Sequence, residues 1–237
     1  MTGMLLGEEL LLLLLDDDHG GWLVPRRAVA RGLRVALVAE LLGRGALRID
    51  ESWHLAPHVG ASTGGDPVLD RVCERVAGRP VTEVVEADRR AVRALLARLR
   101  DAGVLRRTMV RRRHVPRDTH PEAMVRSRLL GALRGAKTDR HTALLVSLVS
   151  ELHLLGVLFP DEDAAVLRSR AAEIEDQLRH DPHHFPATLE EERSGRTSAG
   201  EILEGIGDVF VFTEAVGGLA RLAWLPIRAL AELIDFP

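Results

Sequence analysis

Two stretches of this chain are apolar on every side of a helix, and its other apolar residues recur at the spacing of a single buried face. The first stretch is Leu5, Leu6 and the unbroken run Leu10 to Leu15, interrupted by Gly7, Glu8 and Glu9. The second runs from Thr142 to Leu158 and reads Ala143-Leu144-Leu145-Val146-Ser147-Leu148-Val149 through its middle. A helix that is apolar all round is buried in a protein core or in lipid. The leucine run is far shorter than the ~20 residues of a membrane crossing, and two carboxylates stand at its start. It lacks the basic flank of a secretory signal, and Asp16, Asp17 and Asp18 follow where small residues should be. The pattern therefore predicts two core helices packed on each other.

Around them the chain alternates amphipathic segments with breakers. Ala28 to Leu42 places Val29, Leu33, Ala36, Leu37 and Leu41 at helical spacing, and Gly43 and Gly45 end it. Ala46 to Asp50 alternates like a short strand, and Glu51 to Gly65 reads as loop or irregular strand. Asp66-Pro67 is a helix start, with an N-cap aspartate and a proline at the first helical position. Val68, Leu69, Val72, Cys73 and Val76 follow as its stripe. Thr82 caps another helical pattern that breaks near Glu86-Ala87-Asp88; Val92, Leu95, Leu96 and Leu99 form its core face, and Gly103 stops it. Val104 to Pro116 is strand-like within a dense arginine run, either two short strands or one ragged strand. Glu122 to Leu133 is a helix, and Asp161 to Arg179 is amphipathic with Val166, Leu167, Ile174 and Leu178 facing inward. Met109 and Met124 read as core fillers. The expected fold is all-α, mainly helical with one small β-hairpin, its two apolar central helices ringed by amphipathic ones.

From Ala187 the character changes. Residues 187–200 are polar and linker-like, which bounds a first domain at 1–186 and leaves a carboxy-terminal segment, 201–237. In that segment Glu214, Arg221 and Arg228 form one narrow polar stripe. Phe210, Phe212, Leu219, Leu222, Trp224 and Leu225 are among the apolar residues that fill the rest. Internal charges and Pro226 argue against a bilayer span. The segment is expected to dock on the domain, make an oligomer contact or lie in a membrane interface.

The formal charge is −3, so attraction to phosphate or anionic lipid has to be local. Of 32 basic residues only Lys137 is a lysine. This bias, with the absence of tyrosine, suggests a GC-rich bacterial genome, and arginine usage alone does not signal phosphate selection. Cys73 is the single cysteine, which points to a reducing compartment without a disulfide framework. A cytoplasmic protein, soluble or peripheral on the inner face of a membrane, is the expectation.

The string Glu8-Glu9-Leu10-x-Leu12-Leu13-x-Leu15-Asp16-Asp17-x-x-Gly20, then Gly32-Leu33-Arg34, then Glu40-Leu41-x-x-Arg44-Gly45-x-Leu47 resembles the opening of the Golgi phosphoprotein domain. The likeness continues in order through Asp66-Pro67-x-Leu69-Asp70, Leu99-x-x-x-Gly103-Val104-Leu105, His120-Pro121, Arg128-Leu129, Asp139-Arg140-x-Thr142-Ala143-Leu144 and Leu154-Leu155-x-Val157-Leu158-Phe159. The family includes eukaryotic peripheral membrane proteins that bind phosphatidylinositol 4-phosphate and recruit glycosyltransferases. The resemblance implies a non-enzymatic adaptor whose partners are an anionic phospholipid headgroup and a protein client. In the eukaryotic members the headgroup site combines a tryptophan, the arginine of the Gly-Leu-Arg motif and basic residues on a later helix. Arg34 matches the motif arginine, and Arg128, with Arg126 two residues before it, lies in the matching later helix. Pro25 stands where the tryptophan should be, and Trp22 is about one turn earlier. The expected headgroup set is thus Trp22, Arg34, Arg126 and Arg128, since guanidiniums pair bidentately with phosphate oxygens. The extended hairpin of the eukaryotic members is reduced here to Arg134-Gly135-Ala136-Lys137-Thr138, which leaves membrane contact to the carboxy-terminal segment.

Other chemistries fare less well. Residues 89–113 resemble the last helix and wing of a winged-helix domain. Aromatic residues for stacking make up only 3% of the chain and its total charge is acidic, so nucleic acid is not the expected partner. His180-Asp181-Pro182-His183-His184 has proline-broken spacing unlike helix-presented metal ligands, and Asp16-Asp17-Asp18-His19 reads as a solvated helix end. No phosphate loop, nucleophile elbow or Cys/His pair is present, so no catalytic residue, metal or cofactor is expected. The rival to the adaptor is a soluble interaction module that self-associates into a homo-oligomer through its last helix.

Overall fold

The structure, a computed structural model, describes residues 3–180 except 17–19, 51, 59–62, 82, 84–88 and 109–113. The first leucine stretch is helix α1 (Leu6–Leu13), and every one of its residues is buried. Leu5, Leu6 and Leu10 to Leu15 are each at most 2% exposed. At roughly 1.5–3 kcal/mol per buried leucine, these eight side chains make α1 and its two ends the post around which the molecule packs. The run leaves the helix before it ends: Leu14 caps α1, and Leu15 forms an antiparallel bridge with Trp22. The N-terminus of α1 is satisfied from two directions. The Glu8 carboxylate accepts the Leu5 N–H at 2.8 Å, the half of a capping box that a leucine N-cap allows, and Glu40 accepts the Leu6 N–H at 2.9 Å.

Helix α2 (Arg26–Gly43) begins two residues before its apolar period, because Pro25 serves as N-cap and Arg26 and Arg27 form the first turn. A hairpin follows, β1 (Leu47–Ile49) paired with β2 (Leu55–Pro57) in the register Leu47↔Pro57 and Ile49↔Leu55. The sequence predicted one hairpin, and this second one lay half inside the expected loop. It is short, and β2 is tied to the chain beyond the next helix by Leu55 N–H to Arg79 O at 2.9 Å. Helix α3 (Pro67–Val76) starts on Asp66, whose side chain accepts from Val68 N–H at 2.9 Å and Leu69 N–H at 3.3 Å. Helix α4 (Arg89–Asp101) buries Ala91, Leu95, Leu96 and Leu99. The arginine-rich run resolves the choice between one strand and two: β3 (Leu105–Arg107) and β4 (His114–Pro116) pair antiparallel.

Helix α5 (His120–Leu133) buries Val125 and Leu129 but turns Met124 out at 61% exposure, so Met124 is not the core filler expected. The second apolar stretch is not one helix. It is α6 (Arg140–Glu151) and a single turn, α7 (Leu155–Leu158), separated at Leu152–Leu154. His153 adopts a left-handed φ of 55°, and Leu154 N–H bonds back to Val149 O at 3.1 Å, closing the end of α6. Helix α8 (Ala164–His180) faces Leu167, Ala171, Ile174 and Leu178 inward, whereas Val166 in its first turn is 61% exposed and departs from the predicted stripe. α1 touches α2, α4, α5 and α6, and α6 packs against α8 and α5. The expected linker 187–200 and the segment 201–237, with Phe210, Phe212, Leu219, Leu222, Trp224 and Leu225, lie outside the described residues.

Candidate functional site

The two carboxylates on α1 are buried, at 4% and 5% exposure, and each recruits cations from neighbouring helices. Glu8 takes Arg98 Nε of α4 at 2.8 Å, and Arg98 also pairs with the α3 cap Asp66. Burial pushes the Glu8 carboxyl above its usual range against the Leu5 N–H and Arg98. Asp66 is also raised by burial, but Arg98 and the capping N–H groups outweigh this and hold it below the usual range. The Glu9 Oε2 atom is shared by Arg128 of α5 and by His141 Nε2 of α6 at 2.9 Å. Burial pulls the His141 ring down, yet the bond to Glu9 and the charges of Glu9 and Glu40 leave it above the ordinary histidine value. These contacts stitch α1 to α4, α5 and α6.

Three of the expected headgroup residues have defined places in the structure. Arg128 is committed to Glu9. Arg126, on the opposite side of α5, pairs with the buried Glu122 at 2.6 Å and donates to Leu158 O at 3.1 Å, which pins α5 to α7. Arg34 is only 6% exposed, one turn beyond Arg31 on α2. None of the three lines the cationic cleft that the fold builds elsewhere.

That cleft, about 760 Å³, lies between the first turns of α2 and α4. One wall carries Trp22, Arg26, Arg27 and Arg31, and the other carries Arg89 and Arg93. Arg26, Arg27, Arg89 and Arg93 are exposed, and Arg31 is half-buried. Among the described residues no acidic side chain lines the cleft. Arg93 Nε donates to Arg89 O at 3.2 Å, which fixes its direction along α4. Arg26 and Arg89 are the first residues of their helices, so two positive dipole ends add to the field of five guanidiniums. Planar guanidiniums converging on an open hollow are suited to an oxyanion with several oxygens, above all phosphate.

Of the expected set, only Trp22 lines this cleft. The basic first half of α2 and the arginine pair opening α4 were both visible in the sequence. What spacing could not supply was the pairing of α2 with α4: both α4 and α5 are basic later helices, and only the fold distinguishes them. Among the described residues no group of three or more His, Cys, Asp or Glu is placed to hold a metal ion. Among them, too, no helix is long and apolar enough to cross a membrane.

The fold and the cleft together define a mainly helical domain with a guanidinium-lined surface hollow. The chain belongs to the Golgi phosphoprotein 3 (GPP34) family, whose family model matches residues 6–196. The match takes in every helix from α1 to α8 and runs past the expected domain end at 186. No curated protein matches the chain.

Proposed function

We propose that this protein is a non-enzymatic peripheral membrane adaptor, and that its α2–α4 cleft binds an anionic, phosphoinositide-like lipid headgroup. The observation that carries this is the convergence of five arginines from two helix N-termini beside Trp22, with no acidic side chain among the described lining residues. Trp22 suits a boundary position, because an indole keeps an apolar body and a polar edge at a lipid–water interface. Family membership supports a lipid- or protein-binding module of this kind. The test is flotation with phosphatidylcholine vesicles, with and without a phosphatidylinositol phosphate. Replacing Arg27→Gln and Arg89→Gln together, one from each wall, should lower affinity at least roughly tenfold, since a hydrogen bond to a charged group contributes about 1.5–3 kcal/mol. Arg128→Gln should leave lipid binding unchanged. Equal binding by wild type and the Arg27/Arg89 variant would overturn the assignment of the cleft.

The rival reading, self-association through residues 201–237, rests on the apolar and polar striping of that segment. It predicts a protein that does not bind the vesicles and that turns from dimer to monomer when 201–237 is removed.

A further inference from the structure

The cleft is one flank of a wider basic surface. Helix α4 opens with adjacent arginines, Arg89 and Arg90, and neighbours on a helix point about 100° apart because a turn takes 3.6 residues. Arg89 lines the cleft toward α2, whereas Arg90 lines a shallow hollow on the α3 side with Arg71 and Arg75. The first turn of α4 is therefore a ridge with guanidiniums on both slopes. Arg71 and Arg90 are exposed, and the floor between them is apolar, from Val72 and Ala91. The α3 carboxylates Asp70 and Glu74 are exposed but are not among the residues lining this hollow.

We propose that the α3–α4 hollow is a second contact with an anionic phospholipid surface, resting on headgroups beside the one held in the cleft. The proposal rests on the membrane-adaptor reading and adds to it that attachment senses the bulk charge of the bilayer as well as one headgroup. A plane of negative charge meets both slopes of the ridge at once. The hollow is too shallow to enclose a ligand, and no aromatic side chain among the described residues lines it to stack on a nucleobase. Basic residues close to a charged bilayer contribute about 1 kcal/mol each, so losing two should weaken attachment roughly ten- to thirtyfold, Arg75 counting less because it is half-buried.

The variant Arg71→Gln/Arg75→Gln tests this on the full chain, with circular dichroism to establish that it folds and Arg71→Lys/Arg75→Lys as the charge-keeping control. Vesicles of phosphatidylcholine and a phosphatidylinositol phosphate are compared with and without phosphatidylglycerol, and the soluble headgroup glycerophosphoinositol phosphate is titrated separately. Phosphatidylglycerol should tighten wild-type binding. The glutamine variant should lose roughly ten- to thirtyfold of that gain, the lysine variant should keep most of it, and the soluble headgroup should bind all three equally. A glutamine variant that gains as much from phosphatidylglycerol as wild type overturns the proposal and leaves the cleft reading standing. Wild type that ignores the soluble headgroup yet gains from phosphatidylglycerol, with that gain lost in the glutamine variant, overturns the cleft assignment and upholds this one. A gel shift of duplex DNA that Arg71→Gln/Arg75→Gln abolishes, with no response to phosphatidylglycerol, assigns the ridge to nucleic acid instead.

Discussion

Glu9 is the residue through which three helices meet, because its carboxylate serves Arg128 of α5 and His141 of α6 from within α1. Removing one partner of a buried ion pair leaves the other charge uncompensated, which costs about 3–5 kcal/mol when both are buried. Arg128 keeps 39% of its side chain exposed and can rehydrate. Glu9→Gln should therefore destabilise by about 2–3 kcal/mol, measured by urea unfolding. His141 makes the same contact depend on pH. Its pKa is raised in the folded state, with burial and Arg128 opposing the charged ring and Glu9 and Glu40 favouring it. Stability from such a group is fully present below the unfolded histidine value, about 6.5, and disappears as pH rises through the higher folded value. The stability difference between wild type and His141→Gln should thus shrink steadily as pH is raised above about 6.5. The Glu8 carboxyl titrates in both proteins and cancels from the difference. A constant difference across that range would remove Glu9–His141 from the ionic account.

At the scale of elements, the apolar pattern read the core well and its interruptions poorly. Every leucine of the first run is buried, and the stripes of α2, α3 and α4 face inward, with Val68, Cys73 and Val92 only partly buried at their edges. The break between α6 and α7 escaped because burial does not stop there: Leu152, Leu154, Leu155 and Leu158 are all buried on either side of it. The signal was His153, a polar residue in an apolar run, which sits at φ 55°. Left-handed backbone suits glycine and strains a β-branched residue. His153→Gly should raise stability by about 0.5–1 kcal/mol, and His153→Val should lower it by about 1–2 kcal/mol, read from denaturant midpoints. Helix crossing imposes a comparable limit at Gly7, where an added Cβ would meet Leu37 Cδ2 at 3.1 Å and Leu95 Cδ1 at 3.2 Å. The helix preference for alanine, up to about 1 kcal/mol, roughly offsets that crowding, so Gly7→Ala should be near neutral. Gly7→Val adds two methyl groups against α2 and α4 and should cost about 1–3 kcal/mol.

For the whole molecule, charge is distributed against its average. The chain carries −3 overall, yet Arg26, Arg27, Arg31, Arg89 and Arg93 line one cleft and Arg71, Arg75 and Arg90 the adjoining hollow. The local field is the one that matters, because charges are screened beyond about 10 Å at 0.1 M salt and about 3 Å at 1 M. On the membrane-adaptor reading, the basic ridge is the part of the described surface that faces the bilayer. This separates the two ways the protein could hold a membrane. Attachment through the arginines weakens with salt, and affinity for anionic vesicles should fall more than about tenfold between about 0.1 M and about 1 M sodium chloride. Attachment through apolar residues of 201–237, such as Phe210, Trp224 and Leu225, removes hydrocarbon from water and is not weakened by salt. Vesicle flotation across that salt series, on the full chain and on a chain ending at residue 200, apportions the two. The full chain should lose most of its binding in high salt, and the shortened chain should show the same fold-loss from a lower start. Binding that survives about 1 M salt in the full chain and vanishes at every salt in the shortened one would make the arginine ridge a bystander and the carboxy-terminal segment the anchor.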